Sequence, residues 1–259
     1  ERPRNDLQGF RDPFAWREAD GWYMVIGSGI DGEGGTALLY RSPDLRAWEY
    51  VHPLCVGFGK NWECPNFFPL GDKHVLVVSP HGQVRYSIGD YRDHQFAPGE
   101  WLPMDGSEGG PFYAPNCLEA PDGRRIMWGW VVSGGVEEYP WCGSLTLPRV
   151  LSLRPDGRLG VEPAEELALL RGANRHFENI ALAEKAPNPL AEVRSDCFEL
   201  LADIDPGNCD QVGFEVLCSP DGKEKAQIVY DNVALRMTVG AHSGDFQRLP
   251  GEKTMRLHV

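Results

Sequence analysis

Over residues 1–150, apolar positions come in short runs separated by turn signals rather than at helical spacing. The runs cover residues 14–16, 22–26 and 36–40, then 66–68, 74–78 and 83–88, then 116–118, 125–130 and 143–147. Asp20-Gly21, Gly71-Asp72 and Asp122-Gly123 punctuate the first and second run of each trio, and such turns between aromatic and β-branched stretches predict hairpins. Each trio opens on a proline frame, at Pro13, Pro65 and Pro115, so the steps are 52 and 50 residues. The first two close near Trp48 and Trp101. A repeat of about 50 residues holding four short strands is the pattern of a β-propeller blade.

The frame weakens after Pro148, although Arg154-Pro155-Asp156-Gly157-Arg158 is a further turn. Residues 163–172 predict a short helix, with acids in its first turn and Gly172 at its end. Residues 173–192 read as a connector. From Cys197 apolar and polar positions alternate again, as in a sandwich sheet with one buried face. The expected architecture is all-β: a propeller catalytic domain over 1–172, a linker over 173–192 and a partial β-sandwich over 193–259.

Composition agrees with many short strands, since glycine (30) and proline (21) make up about a fifth of 259 residues. The net charge of −13 disfavours nucleic acid as a partner. No apolar stretch is long enough for a helical membrane span. Seven cysteines without a C-x-x-C pair disfavour a zinc site or a dense disulfide framework. No phosphate-cradle, dinucleotide or nucleophile-elbow motif occurs, and the histidines lack the spacing of metal ligands, so neither cofactor nor metal is expected.

Candidate chemistry lies in the frames. Phe10-Arg11-Asp12-Pro13-Phe14 and Trp62-Glu63-Cys64-Pro65-Asn66 each carry an acid just ahead of a proline, Asp12 directly before Pro13 and Glu63 before the Cys64-Pro65 step, and Tyr113-Ala114-Pro115-Asn116 carries none. Corresponding positions of successive blades converge on the axis, which sets Asp12 and Glu63, 51 positions apart, across one funnel. Two facing carboxylates are the requirement for cleaving a glycosidic bond. Glu63 is the better acid, because Trp62, Cys64, Phe67 and Phe68 can desolvate it. Asp12, beside Arg11, suits holding hydroxyls or stabilising positive charge. Arg11, Trp62, Cys64 and Tyr113 are the candidate substrate contacts. The bland alternatives are an Asp-Pro turn and aromatics that only fill the blades.

At these residues the chain resembles glycoside hydrolase family 32, the invertases, inulinases and levanases. Phe10-Arg11-Asp12-Pro13 is similar to the family's Arg-Asp-Pro motif and Trp62-Glu63-Cys64-Pro65 to its Glu-Cys motif. Phe112-Tyr113-Ala114-Pro115 and Leu145-Thr146-Leu147-Pro148-Arg149 are similar to later propeller segments. The resemblance implies a five-bladed propeller followed by a sandwich, with about three blades within this chain. It also implies retaining cleavage of terminal β-fructofuranosyl bonds of sucrose or fructo-oligosaccharides. Glu63 would be the acid/base and Asp12 the transition-state stabiliser. The family's nucleophile motif, Trp-x-Asn-Asp-Pro-Asn-Gly, has no counterpart here; Asn5-Asp6-Leu7 keeps only the Asn-Asp pair. The chain is therefore expected to be a middle piece of a longer enzyme, inactive alone, with its nucleophile outside residues 1–259. The competing expectation is a carbohydrate-binding propeller without catalysis.

Overall fold

The computed structural model describes residues 2–106, 110–132, 141–183, 186–248 and 251–259. It separates into two compact units, Glu1–Ala164 and Glu165–Val259.

The first unit consists of three antiparallel blades. Strands β1 (Arg11–Glu18), β2 (Gly21–Ile30), β3 (Gly34–Ser42) and β4 (Glu49–Gly57) pair in chain order. Strands β5 (Glu63–Leu70), β6 (Lys73–Ser79), β7 (Arg85–Arg92) and β8 (Gln95–Pro103) repeat the meander. The third blade holds β9 (Phe112–Glu119), β10 (Arg125–Val131), β11 (Ser144–Leu145), β12 (Arg149–Leu153) and β13 (Leu159–Pro163). First strands lie side by side, β5 against both β1 and β9.

The apolar runs are continuous because a middle blade is buried on both faces. Phe67, Leu76 and Val78 turn toward the first blade, where they meet Tyr23, Val25, Ala37, Leu39 and Trp62. Phe68, Val75 and Val77 turn the other way, toward Phe112, Cys117, Met127 and Leu151. Successive side chains of one strand point to opposite faces, so neighbouring residues serve different cores.

The third blade runs on past Pro148, where the frame weakens. β11 and β12 share one edge of β10, through Trp130↔Leu145 and Met127↔Arg149. They are one strand position interrupted where proline has no amide hydrogen to donate. The turn at residues 154–158 then leads into β13, the fourth strand. The expected loop ahead of this broken strand falls partly at 133–140, outside the described residues.

The second unit opens with a 3₁₀ turn, Glu165–Leu170, where the sequence predicted a short helix. Among the described residues, 171–200 contain no helix or strand. β14 (Leu201–Ile204) pairs with β19 (Met255–His258). β15 (Gln211–Val216), β16 (Ala226–Asp231), β17 (Arg236–Val239) and β18 (His242–Asp245) form a four-stranded meander. The architecture is all-β: propeller blades followed by a two-sheet sandwich unit.

Candidate active site

Each first strand begins with the same irregularity. Arg11↔Gly27 is followed by Phe14↔Val25, Glu63↔Ser79 by Asn66↔Val77, and Tyr113↔Trp130 by Asn116↔Trp128. Three residues thus span the place of two, which is one β-bulge per blade. The residue before each proline takes the left-handed conformation, with φ of 57° at Asp12, 46° at Cys64 and 46° at Ala114. Such a backbone is costly for residues other than glycine and concentrates where side chains are re-aimed for function.

With the same bulge in every blade, the prolines set the alignment and correct the one expected from the acids. Asp12 occupies the place of Cys64 and Ala114, while Glu63 occupies that of Arg11 and Tyr113. The two carboxylates come from adjacent blades but from places one residue apart. Equivalent places then bond to each other around the axis. In one rung, Arg11 Nη1 donates to Glu63 Oε1 at 2.7 Å and the Tyr113 hydroxyl donates to Glu63 Oε2 at 2.8 Å. In the next, the Cys64 amide donates to Asp12 Oδ2 at 3.0 Å and its thiol approaches the same oxygen at 3.5 Å. Arg11 therefore serves Glu63 and not its neighbour Asp12, as the sequence suggested. Adjacent strand residues face different ways.

The Glu63 side chain keeps 14% of its surface exposed, and His81 Nε2 lies 3.5 Å from its Oε1. The desolvating neighbours expected from sequence are elsewhere: Phe67 packs in one blade core and Phe68 in the other. Polar groups enclose the carboxylate instead. The Tyr113 hydroxyl also accepts from the His81 amide at 3.2 Å, and burial with the bond to Glu63 pushes its ionisation well above the tyrosine range.

Trp62 requires a correction. It has no exposed surface, and its indole N–H donates to Phe58 O at 2.8 Å. A Cβ on Gly35 would lie 2.3 Å from the indole Cδ1, so the ring occupies the space that this glycine leaves. Trp62 is a core residue under the crossing from β4 to β5, without a face for a ligand.

Cys64 is a clamp rather than a reactive thiol. Burial and the adjacent Asp12 carboxylate push its thiol up from 9.0 to about 12. A raised value in the folded state stabilises the fold below pH 9.0 and is lost as pH rises toward about 12. Iodoacetamide at about pH 8 is expected to label the exposed Cys197, Cys209 and Cys218 and to spare Cys64, because the thiolate is the nucleophile. Peptide mass mapping reads the outcome, and equal labelling of Cys64 would reject it.

Beneath the rungs, Asn66 ties the second blade to the third. Its Nδ2 donates to Cys64 O at 3.0 Å and Pro115 O at 2.9 Å, and its Oδ1 accepts from the Cys117 amide at 2.9 Å. Asn66 is only 2% exposed. Asn66→Leu leaves these backbone groups without partners and is expected to cost about 2–5 kcal/mol, as buried unsatisfied groups do. Urea unfolding measures the loss, and an unchanged midpoint would contradict the assignment.

Sequence reasoning missed His81, Lys60 and Asn61, which line an open cleft of about 390 Å³ with Gln8, Arg11 and Pro80. The signal was present in Ser79-Pro80-His81-Gly82, a turn at the end of β6. Because β5 and β6 are antiparallel, that end meets the start of β5. Asp6, the remnant of the Asn-Asp pair, is held by Arg4 at 2.7 Å. Among the described residues no group of His, Cys, Asp and Glu could hold a metal ion.

Two models of one family match the chain. Residues 1–163 match the "Glycosyl hydrolases family 32 N-terminal domain" and residues 166–255 the "Glycosyl hydrolases family 32 C terminal". The chain is 36% identical over 205 residues to a sucrose-6-phosphate hydrolase of Escherichia coli, covering 71% of this chain and 42% of that protein. It is 36% identical over 188 residues to a raffinose invertase of the same organism, covering 65% and 39%. It thus spans less than half the length of these relatives. The fold is similar to that of fructan 1-exohydrolase IIa from Cichorium intybus, at a TM-score of 0.73 and 20% identity over 99% of this chain and 63% of that one. The sucrose-6-phosphate hydrolase of Lactobacillus gasseri gives 0.73 and 22%, over 99% and 56%. With both of its units matched, this chain belongs to glycoside hydrolase family 32.

Proposed function

We propose that this chain carries the acid/base half of a retaining β-fructofuranosidase acting on sucrose or short fructans. The observation that carries the reading is the pair of rungs: Glu63 held by Arg11 and Tyr113, with Asp12 clamped beside it by Cys64. Glu63 is the general acid/base. It protonates the glycosidic oxygen as the bond to fructosyl C2 breaks, and later takes a proton from the water that attacks C2. Arg11 and Tyr113 fix the carboxylate's orientation. The Tyr113 hydroxyl has a second acceptor, Ser79 O at 3.3 Å, to which its hydrogen can turn when Glu63 carries the proton. Asp12 faces the positive charge that develops on the ring, and its bonds to Cys64 hold it in place without reorganisation during the reaction. The attacking carboxylate of a retaining mechanism is not assigned to any residue here. Trp62 supports the loop from below, and Tyr113 contacts substrate only through Glu63.

The test is fructose release from sucrose by this chain alone and by the chain extended at its N-terminus with the preceding segment of the E. coli relative. Release by the extended chain, and none by the chain alone, is the expected result. Sugar binding with no release by either form would favour a carbohydrate-binding propeller.

A further inference from the structure

The turn after β6 touches Glu63 twice. Its sequence is Ser79-Pro80-His81-Gly82, and the left-handed place is taken by His81, at φ 59°, while Gly82 lies outside that region. Glycine adopts such a backbone freely, so a side chain held there points to a task for that side chain. The turned backbone aims the His81 amide at the Tyr113 hydroxyl, 3.2 Å away, and sets the imidazole against Glu63, with Nε2 3.5 Å from Oε1. One residue thus meets both oxygens of the carboxyl group. It reaches Oε1 through its ring and Oε2 through the Tyr113 hydroxyl, which stands 2.8 Å from that oxygen.

The hydrogens follow from what each atom can do. A carboxylate only accepts, so Nε2 faces Oε1 favourably when it carries a hydrogen. Asn61 Nδ2 is 3.4 Å from the same nitrogen, and Asn61 Oδ1 is buried with no hydrogen-bond partner among the described residues. Turned end for end, that amide lets Oδ1 accept from Nε2–H. Oε1 of Glu63 then faces two donors, Arg11 Nη1 at 2.7 Å and His81 Nε2. Oε2 faces one, the Tyr113 hydroxyl, whose hydrogen can turn to Ser79 O. An oxygen between two donors is the poorer place for a proton. We propose that His81 is a positioning residue for the acid/base, its ring and amide together keeping the proton of Glu63 on Oε2. This rests on the fructofuranosidase reading for the role of Glu63. In the bond-breaking step the electron pair of the C2–O bond stays on the leaving oxygen, which takes the proton from Oε2. The Tyr113 hydrogen turns from Ser79 O back to the bare Oε2.

The test has two arms. In the 259-residue chain labelled with ¹⁵N-histidine, the neutral His81 ring should show a protonated Nε2 and a bare Nδ1; the signals are assigned by their loss in His81→Gly. In the extended chain, His81→Gly should lower kcat on sucrose about tenfold, with KM within about twofold and the thermal midpoint within about 2 °C of the parent. The bond-breaking step on an aryl fructoside should fall less than about twofold, because that leaving oxygen needs little protonation. His81→Gln places a carboxamide N–H where Nε2 stands but cannot carry a proton, and it should return kcat on sucrose to within about threefold of the parent. A bare Nε2, parent-like turnover of sucrose by His81→Gly, equal losses on the two substrates, or His81→Gln no better than His81→Gly would each overturn the assignment. Fructose release by the unsubstituted extended chain is scored separately. Its absence refutes the fructofuranosidase reading and the role of His81 with it, whereas release accompanied by any of those four results refutes the role of His81 alone.

Discussion

Glu63→Gln is expected to lower kcat on sucrose by about a thousandfold in the extended chain, within the range for loss of a positioned acid/base. The carboxamide has the shape of the carboxyl group, so Arg11 and Tyr113 retain a partner and the fold should persist. What it loses is the proton transfer itself. The dependence on leaving group distinguishes this from general damage. An aryl fructoside, whose leaving oxygen needs little protonation, should lose less than about tenfold in the bond-breaking step. A small anionic nucleophile such as azide, which needs no base, should restore turnover of the fructosyl intermediate. Steady-state and burst kinetics on the two substrates measure both effects. Equal losses on sucrose and aryl fructoside would mean that Glu63 binds or supports rather than transfers a proton.

Trp62→Ala is expected to be the most destabilising single change in the first unit, at about 3–5 kcal/mol, the usual cost of truncating a large buried aromatic. The ring is wholly buried and lies 5.4 Å from Phe58 and 5.2 Å from Trp101, centroid to centroid. It fills the hollow left by Gly35, and a Cβ on Gly57 would come within 3.0 Å of it. Removing it leaves a cavity bounded by backbone that cannot collapse, and it frees the Phe58 carbonyl. The loop from Phe58 to Asn61 then loses its floor, and Lys60 with it. Thermal unfolding should fall by roughly 10 °C, taking a few degrees per kcal/mol for a unit of this size. Gly35→Ala drives a methyl group into the indole and should reproduce part of the loss. A drop of only a degree or two for Trp62→Ala would mean that the ring is not the keystone of this crossing.

The blades were legible because their signals are local. Turn pairs such as Asp20-Gly21 and Asp122-Gly123, and runs buried on both faces, repeat at nearly constant spacing and need no tertiary information. The weakening of the frame at Pro148 has a physical reason. A proline ends a ladder hydrogen bond, but β11 and β12 continue on the same edge of β10. The acids were legible as residue types, whereas their partners were not. Because each first strand carries the same bulge, counting back from the prolines puts Glu63 in line with Arg11 and Tyr113, and Asp12 in line with Cys64. A bulge has no sequence signature beyond the residue before proline, so hydrogen bonds across blades could not be paired in advance. Trp62 was ambiguous for a related reason: Gly35, well before it in the chain, makes the room that the ring fills, and sequence proximity to Glu63 suggested a pocket.

Asp12 and Glu63 are proposed to act together on one fructofuranosyl bond. The most direct measurement is kcat/KM for sucrose in the extended chain with Asp12→Asn, Glu63→Gln and both substitutions. Residues that work as a unit lose their effects together, so the double variant is predicted to fall little below the worse single one. Losses that multiply would assign the two carboxylates to independent tasks, and an Asp12→Asn variant with undiminished turnover would contradict the account outright.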